Sequence, residues 1–273
     1  MLNSFAARRF KTGSVLALAL LGVALIPSAA SAAGASKETA SSSKATKWVH
    51  IKGLAVEVGV PLRKLVGVKV GVVENSKWRT TVKADGSYDL KVPAQTTVTR
   101  YFDLGRDTAD PADDHLRIYS PTIKTTKTGV PRWSSLNVAL PNLTLARELA
   151  NLIKIDIADG KNAPEDCVVV PLVAIKAFEK MTFAQVVARK NLVGVRGAKP
   201  TISPAKGLMP IFLGDTFMPD LARTTTDASG LSIYIGVTPG TYKFSATKAG
   251  NKFSTMTAVC KPGRVIFGEV GQL

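Results

Sequence analysis

Two histidines, two cysteines and three tryptophans are all that 273 residues supply of these types. With only His50 and His115 and no Gly-x-Ser-x-Gly elbow, the chain lacks the parts of an activated serine or cysteine nucleophile. Ser203-Pro204-Ala205-Lys206, Lys127-Thr128-Gly129 and Ser135-Leu136-Asn137 match short signatures of penicillin-binding enzymes. Their order along the chain is wrong, however, and Ser203 lies in a proline-containing loop where that chemistry needs the start of a helix. No Cys-x-x-Cys spacing marks a redox site. Acidic side chains are scarce as well, 20 against 36 Lys and Arg, for a net charge of +16. The basic residues are scattered and do not form dense runs with interleaved aromatics. This argues against specific nucleic-acid binding and leaves a looser attraction to acidic polysaccharide or lipid headgroups. Beyond the N-terminus no stretch approaches the ~20 apolar residues of a membrane helix.

What is present begins with Arg8, Arg9 and Lys11, an apolar run from Val15 to Ile26, and small residues from Ser28 to Ala33. This is the layout of a secretory signal peptide over 1–32, with Ala30-Ser31-Ala32 offering the small residues a signal peptidase needs. Phe10 follows the arginines directly, which favours the ordinary secretory route over the twin-arginine one. Cleavage after Ala32 removes three basic and no acidic residues, taking the charge from +16 to +13. The expected location is periplasmic or extracellular, and there Cys167 and Cys260 are expected to form a disulfide.

Residues 33–47, rich in Ala, Ser, Thr and Lys, read as a flexible linker. From Trp48 onward apolar residues recur every second position: Val66, Val68, Val70 and Val72; Tyr88, Leu90 and Val92; Leu136, Val138 and Leu140. The second half continues with Ile153, Ile155 and Ile157, then Leu231, Ile233, Ile235 and Val237, then Tyr242, Phe244 and Ala246. Such alternation predicts strands with one buried and one wet face, as in antiparallel sandwiches, and Asp85-Gly86, Asp159-Gly160, Ser229-Gly230, Pro239-Gly240 and Pro262-Gly263 supply the turns. The fold class is therefore all-β in the main. A helical insertion is expected at about 165–192, where Ile175, Phe178 and Met181 are spaced by three and Thr182-Phe183-Ala184-Gln185 reads as a capping box. Leu145 to Asn151 is a second short helical candidate.

The halves resemble one another. Thr80 to Pro93 lines up with Thr224 to Ile235, and each is preceded by a short strand, Val66-Gly67-Val68-Lys69-Val70 or Val193 to Lys199. Two related sandwich modules are expected, 48–147 and 150–273. Gly59-Val60-Pro61-Leu62 and Gly86-Ser87-Tyr88-Asp89-Leu90 in the first carry a pattern that resembles the carboxypeptidase regulatory-like modules, which share a transthyretin-like (prealbumin-like) sandwich. Thr226-Asp227-Ala228-Ser229-Gly230-Leu231-Ser232-Ile233 and Pro239-Gly240-Thr241-Tyr242-Lys243-Phe244-Ser245-Ala246 carry it more fully in the second. The first departs by having Pro93-Ala94-Gln95 where the family has Pro-Gly-x-Tyr. The pattern consists of turn formers and core fillers, so the resemblance implies a fold and a non-catalytic accessory role.

Two groups of residues are candidates for binding. Trp48, Trp78 and Trp133 fall in the first half, and exposed aromatic faces there would stack on sugar rings. The loop 103–115 gathers the carboxylates, and Asp110, Asp113, Asp114 and His115 are the candidate ligands for Ca²⁺ or a transition metal. The plainer reading of that loop is acids paired with neighbouring Lys and Arg, with no cofactor. Asp156 to Asp166 fails as an EF-hand, because Ile155 and Ile157 stand where oxygen ligands belong. The function expected is a secreted, non-enzymatic binding or scaffolding protein of the cell envelope, engaging a glycan, an anionic polymer or another surface protein. A structural unit of a surface assembly is the first alternative, and a metalloprotein or enzyme built on the Asp-rich loop the second.

Overall fold

A computed structural model describes residues 46–57, 63–104, 117–134, 137–140, 166–190, 192–205 and 207–273. The signal peptide, nearly all of the linker, the Gly59-Val60-Pro61-Leu62 turn, the helical candidate 145–151, the strand with Ile153, Ile155 and Ile157, and the ligands Asp110, Asp113, Asp114 and His115 lie outside the described residues. Among those described, no helix is long and apolar enough to cross a membrane.

Eighteen strands dominate the described chain, and the protein is all-β in class. They are β1 (Trp48–Glu57), β2 (Arg63–Lys64), β3 (Lys69–Val72), β4 (Asn75–Thr81), β5 (Ser87–Pro93), β6 (Thr97–Val98), β7 (Arg100–Asp103), β8 (Ile118–Tyr119), β9 (Ile123–Lys124) and β10 (Val138–Leu140). The remainder are β11 (Cys167–Ala174), β12 (Lys199–Ser203), β13 (Ile211–Leu213), β14 (Pro219–Asp220), β15 (Ser232–Val237), β16 (Gly240–Thr247), β17 (Met256–Cys260) and β18 (Val265–Gly271).

The repeated sequence folds into a repeated hydrogen-bond pattern. In the first half the Gly67 amide donates to the Val82 carbonyl, the Val82 amide to Val68, and the Ala55 amide to Gly86. In the second half Gly197 donates to Thr226, Thr226 to Ala198, and Val173 to Gly230, in the same order. Gly86 and Gly230 close the two turns at φ 81° and 70°, a region that a side chain disfavours and glycine does not. The turns differ in how their acids are used. Asp85 accepts from the Ser87 amide at 2.9 Å, whereas Asp227 accepts from the Ala228 amide at 2.9 Å and from Arg196 at 2.6 Å.

Each half also sets one strand between an antiparallel and a parallel neighbour. β1 runs antiparallel to β5 and parallel to β10, and β11 runs antiparallel to β15 and parallel to β18. The parallel partners depart from the purely antiparallel sheets expected from alternation, because the last strand of each half returns to the first. The halves then join. One nine-stranded path, β14-β13-β15-β11-β18-β8-β7-β3-β4, crosses from second half to first where Ile266 of β18 pairs with Tyr119 of β8.

The core follows the alternation in most places. Val49, Ile51, Val68, Val70, Val72, Tyr88, Leu90 and Val92 pack together in the first half, while Val66 is exposed. In β15 the period breaks. Gly236, at φ 66°, sits in a bulge between the Val169↔Tyr234 and Cys167↔Val237 pairs. Tyr234 and Val237 therefore join Cys167 and Phe244 on one face, while Leu231 and Ile233 pack on the other with Leu172 and Phe178. That second face is covered by the insertion, which is shorter than expected: Leu172 belongs to β11, a 3-10 turn takes Lys176–Lys180, and helix α1 spans Phe183–Ala188. The capping box at its start is complete, Thr182 accepting from the Gln185 amide and Gln185 reaching back to the Thr182 amide.

Candidate functional site

Cys167 and Cys260 are disulfide-bonded with Cα atoms 5.5 Å apart, tying β11 to the end of β17. Of the three tryptophans, two meet at the surface. On β1 the side chains alternate, Val49 and Ile51 inward, Trp48, His50 and Lys52 outward. Register with β5 sets Asp89 opposite Lys52 and Lys91 opposite His50 on the same wet face. Trp48 is 42% exposed, and the half-buried Trp78 of β4 meets it edge to face, centroids 6.5 Å apart at 87°. The Lys91 ammonium lies 5.4 Å from the Trp48 ring centroid, a distance at which the ring quadrupole holds a cation. His50 Nδ1 is 2.7 Å from an Asp89 carboxylate oxygen, and Lys52 is 3.6 Å from the other. Burial opposes the charge on Asp89, but the His50 hydrogen bond and the nearby charges of His50 and Lys52 outweigh it and hold the carboxyl below its ordinary value.

Trp133 stands apart from this pair, which corrects the expectation that all three rings offer faces to a ligand. It is 8% exposed, at φ 55°, with its ring laid on Gly271 where any Cβ would collide with it. Its neighbours Arg132 and Ser134 are polar, yet a glycine on a distant strand makes the seat for the ring. Among the described residues no three His, Cys, Asp or Glu side chains are grouped to hold a metal.

A buried polar centre escaped sequence reading. Arg100 of β7, fully buried, donates to the Tyr88 hydroxyl at 2.8 Å and to the Ser134 carbonyl at 2.5 Å. Glu269 of β18 is buried close enough to feel its charge. Burial pushes the Glu269 carboxyl up to about 8, with Arg100 opposing the rise and Glu179 adding to it. Burial likewise raises the Tyr88 hydroxyl against the pull of Arg100. Nothing in the local sequence around Arg100 or Glu269 marks them as interior, because they sit on different halves and only the fold brings them near. Arg100 ties β7 to Tyr88 of β5, and Glu269 brings β18 to the same centre.

No protein-family model matches the chain, and no curated protein matches it. Among solved structures it is similar to the Bacillus anthracis TIE protein at 10% identity, covering 83% of this chain and 34% of that one, TM-score 0.24. It is also similar to the shaft pilin SpaA from Lactobacillus rhamnosus GG, at 12% identity over 84% of this chain and 98% of that one, TM-score 0.23. The minor pilin GBS52 of Streptococcus agalactiae stands at 8% identity, 82% and 96% coverage, TM-score 0.24. The chain spans about a third of the length of the TIE protein.

Proposed function

We propose that this is a non-enzymatic binding protein of the cell envelope that engages an anionic glycan through the face bearing Trp48, Trp78 and Lys91. The carrying observation is the pairing of an exposed ring with a second ring and a cation on one wet sheet face. The exposed part of the Trp48 ring gives a sugar ring an apolar surface, while Lys91 supplies positive charge to a carboxylate, sulfate or phosphate. The disulfide supports an oxidising compartment and agrees with the signal-like N-terminus. The resemblance to carboxypeptidase regulatory-like modules supports an accessory role without chemistry of its own.

The test is a tryptophan-fluorescence titration of wild type, Trp48→Ala and Trp78→Ala against matched neutral and anionic polysaccharides. Loss of a central aromatic contact is worth about 2 kcal/mol, so each variant should bind the anionic polymer roughly 30-fold more weakly. Unchanged affinity in both variants would remove this face from the account. A second reading, a structural unit of a surface assembly, draws on the continuous nine-stranded sheet and the disulfide, which stiffen the chain. Self-association in sedimentation without glycan binding would favour it.

A further inference from the structure

Two cavities adjoin beneath the helical insertion, sharing Asn137, Phe178 and Glu269 in their walls. The first, about 110 Å³, is walled by apolar side chains including Phe183 and Val186 of α1, Leu231 and Phe267. The second, about 260 Å³, has a mixed lining that includes Lys52, Trp133 and Lys180. We propose that the two form one binding site for a small amphipathic anion, an alkyl or aryl carboxylate, with its apolar group in the first cavity and its carboxylate in the second.

The first cavity suits hydrocarbon better than water. A buried water needs two to four polar partners, whereas an apolar cavity of roughly 150 Å³ stays dry and takes up benzene. The available space fits one ring or a short chain. Together the cavities reach the lower end of the roughly 300–1,000 Å³ that small-molecule sites occupy. The second cavity supplies donors for the head. Lys180 carries an ammonium group, as does Lys52, whose ammonium also lies 3.6 Å from Asp89. The buried Trp133 indole N–H meets no acceptor among the described residues, a costly state that a carboxylate oxygen would relieve. Asn137 uses its Oδ1 to accept from the Leu54 amide at 3.0 Å, so its amide nitrogen is the group it has to give.

Two acids also line this cavity, Glu179 and Glu269. Glu179 is bonded at 2.5 Å by the Arg132 guanidinium. Glu269 keeps its proton up to about pH 8 because of its burial. The site shares only Lys52 with the surface around Trp48, so the two readings stand or fall separately.

The test is calorimetric titration of the purified full chain with hexanoate, hexylamine and 1-hexanol. Hexanoate should bind saturably at one per chain and hexylamine should give no binding. Lys180→Gln should weaken hexanoate by roughly fivefold while leaving hexanol unchanged. Hexanoate affinity should also fall as pH rises through about 8, when Glu269 becomes an anion. Val186→Trp, which fills the apolar cavity, should abolish hexanoate binding while a circular-dichroism melt confirms folding. If that variant fails to fold, Lys180→Gln and the pH series decide. Equal binding of hexylamine, hexanoate binding to Val186→Trp as to wild type, or no saturable hexanoate binding would overturn the proposal.

Discussion

Replacing Glu269 with glutamine should make this protein more stable at pH 8 and leave it nearly unchanged at pH 4.5. Glu269 lies buried on β18, facing the Arg100 guanidinium from β7, the Tyr88 hydroxyl from β5, and Glu179 from the 3-10 turn, with Lys52 and Lys180 in the cavity it lines. Its folded-state carboxyl titrates at about 8 against 4.5 for the free group. A carboxyl whose pKa is raised on folding contributes stability in full below the unfolded value, and that contribution is lost as pH rises toward the folded value. The window is therefore pH 4.5 to 8. At 1.36 kcal/mol per pH unit the wild type should lose on the order of 5 kcal/mol across it relative to Glu269→Gln, then run parallel above it. Urea unfolding of both proteins at half-unit pH steps, followed by near-ultraviolet circular dichroism, reads the difference directly. A constant difference from pH 4.5 to 9 would refute the reasoning, since it would mean that Arg100 keeps the carboxylate ionised throughout.

Removing the disulfide by Cys167→Ser with Cys260→Ser should cost about 4–5 kcal/mol in the chain-entropy model, because the bond closes a loop with a sequence separation of 93. Thermal unfolding with and without reductant checks this. Gly271→Ala should destabilise by about 1–3 kcal/mol and alter Trp133 emission, since the added methyl collides with the indole ring. A silent substitution there would show that the ring has room to move.

The sequence made local structure legible wherever neighbours decide it. Asp85-Gly86 and Ser229-Gly230 form turns because the glycines reach positive φ, and Thr182 and Gln185 cap α1 because the motif is complete within four residues. Tyr88, Leu90 and Val92 are buried as their alternation indicates. What stayed hidden depends on contacts far apart in the chain. Alternation says which face of a strand is apolar but not which strand lies beside it, so the parallel pairings of β1 with β10 and β11 with β18 had no signature. The bulge at Gly236 inverted the face of Val237, and a buried arginine at position 100 looks like any solvated basic residue. For the candidate site, Trp48, Trp78 and Trp133 were legible only as aromatics of the first half. The juxtaposition of Trp48 and Trp78 came from the β1–β5 register and the approach of β4, and the burial of Trp133 from a glycine on the C-terminal strand.

The most direct measurement is a ¹H–¹⁵N correlation spectrum of the protein titrated with a short anionic oligosaccharide, following the three indole N–H signals. The account predicts that Trp48 and Trp78 shift together with backbone amides of β1 and β5 around His50 and Lys91, while Trp133 stays in place. Shifts centred elsewhere, or saturating oligosaccharide that leaves Trp48 and Trp78 unmoved, would contradict it.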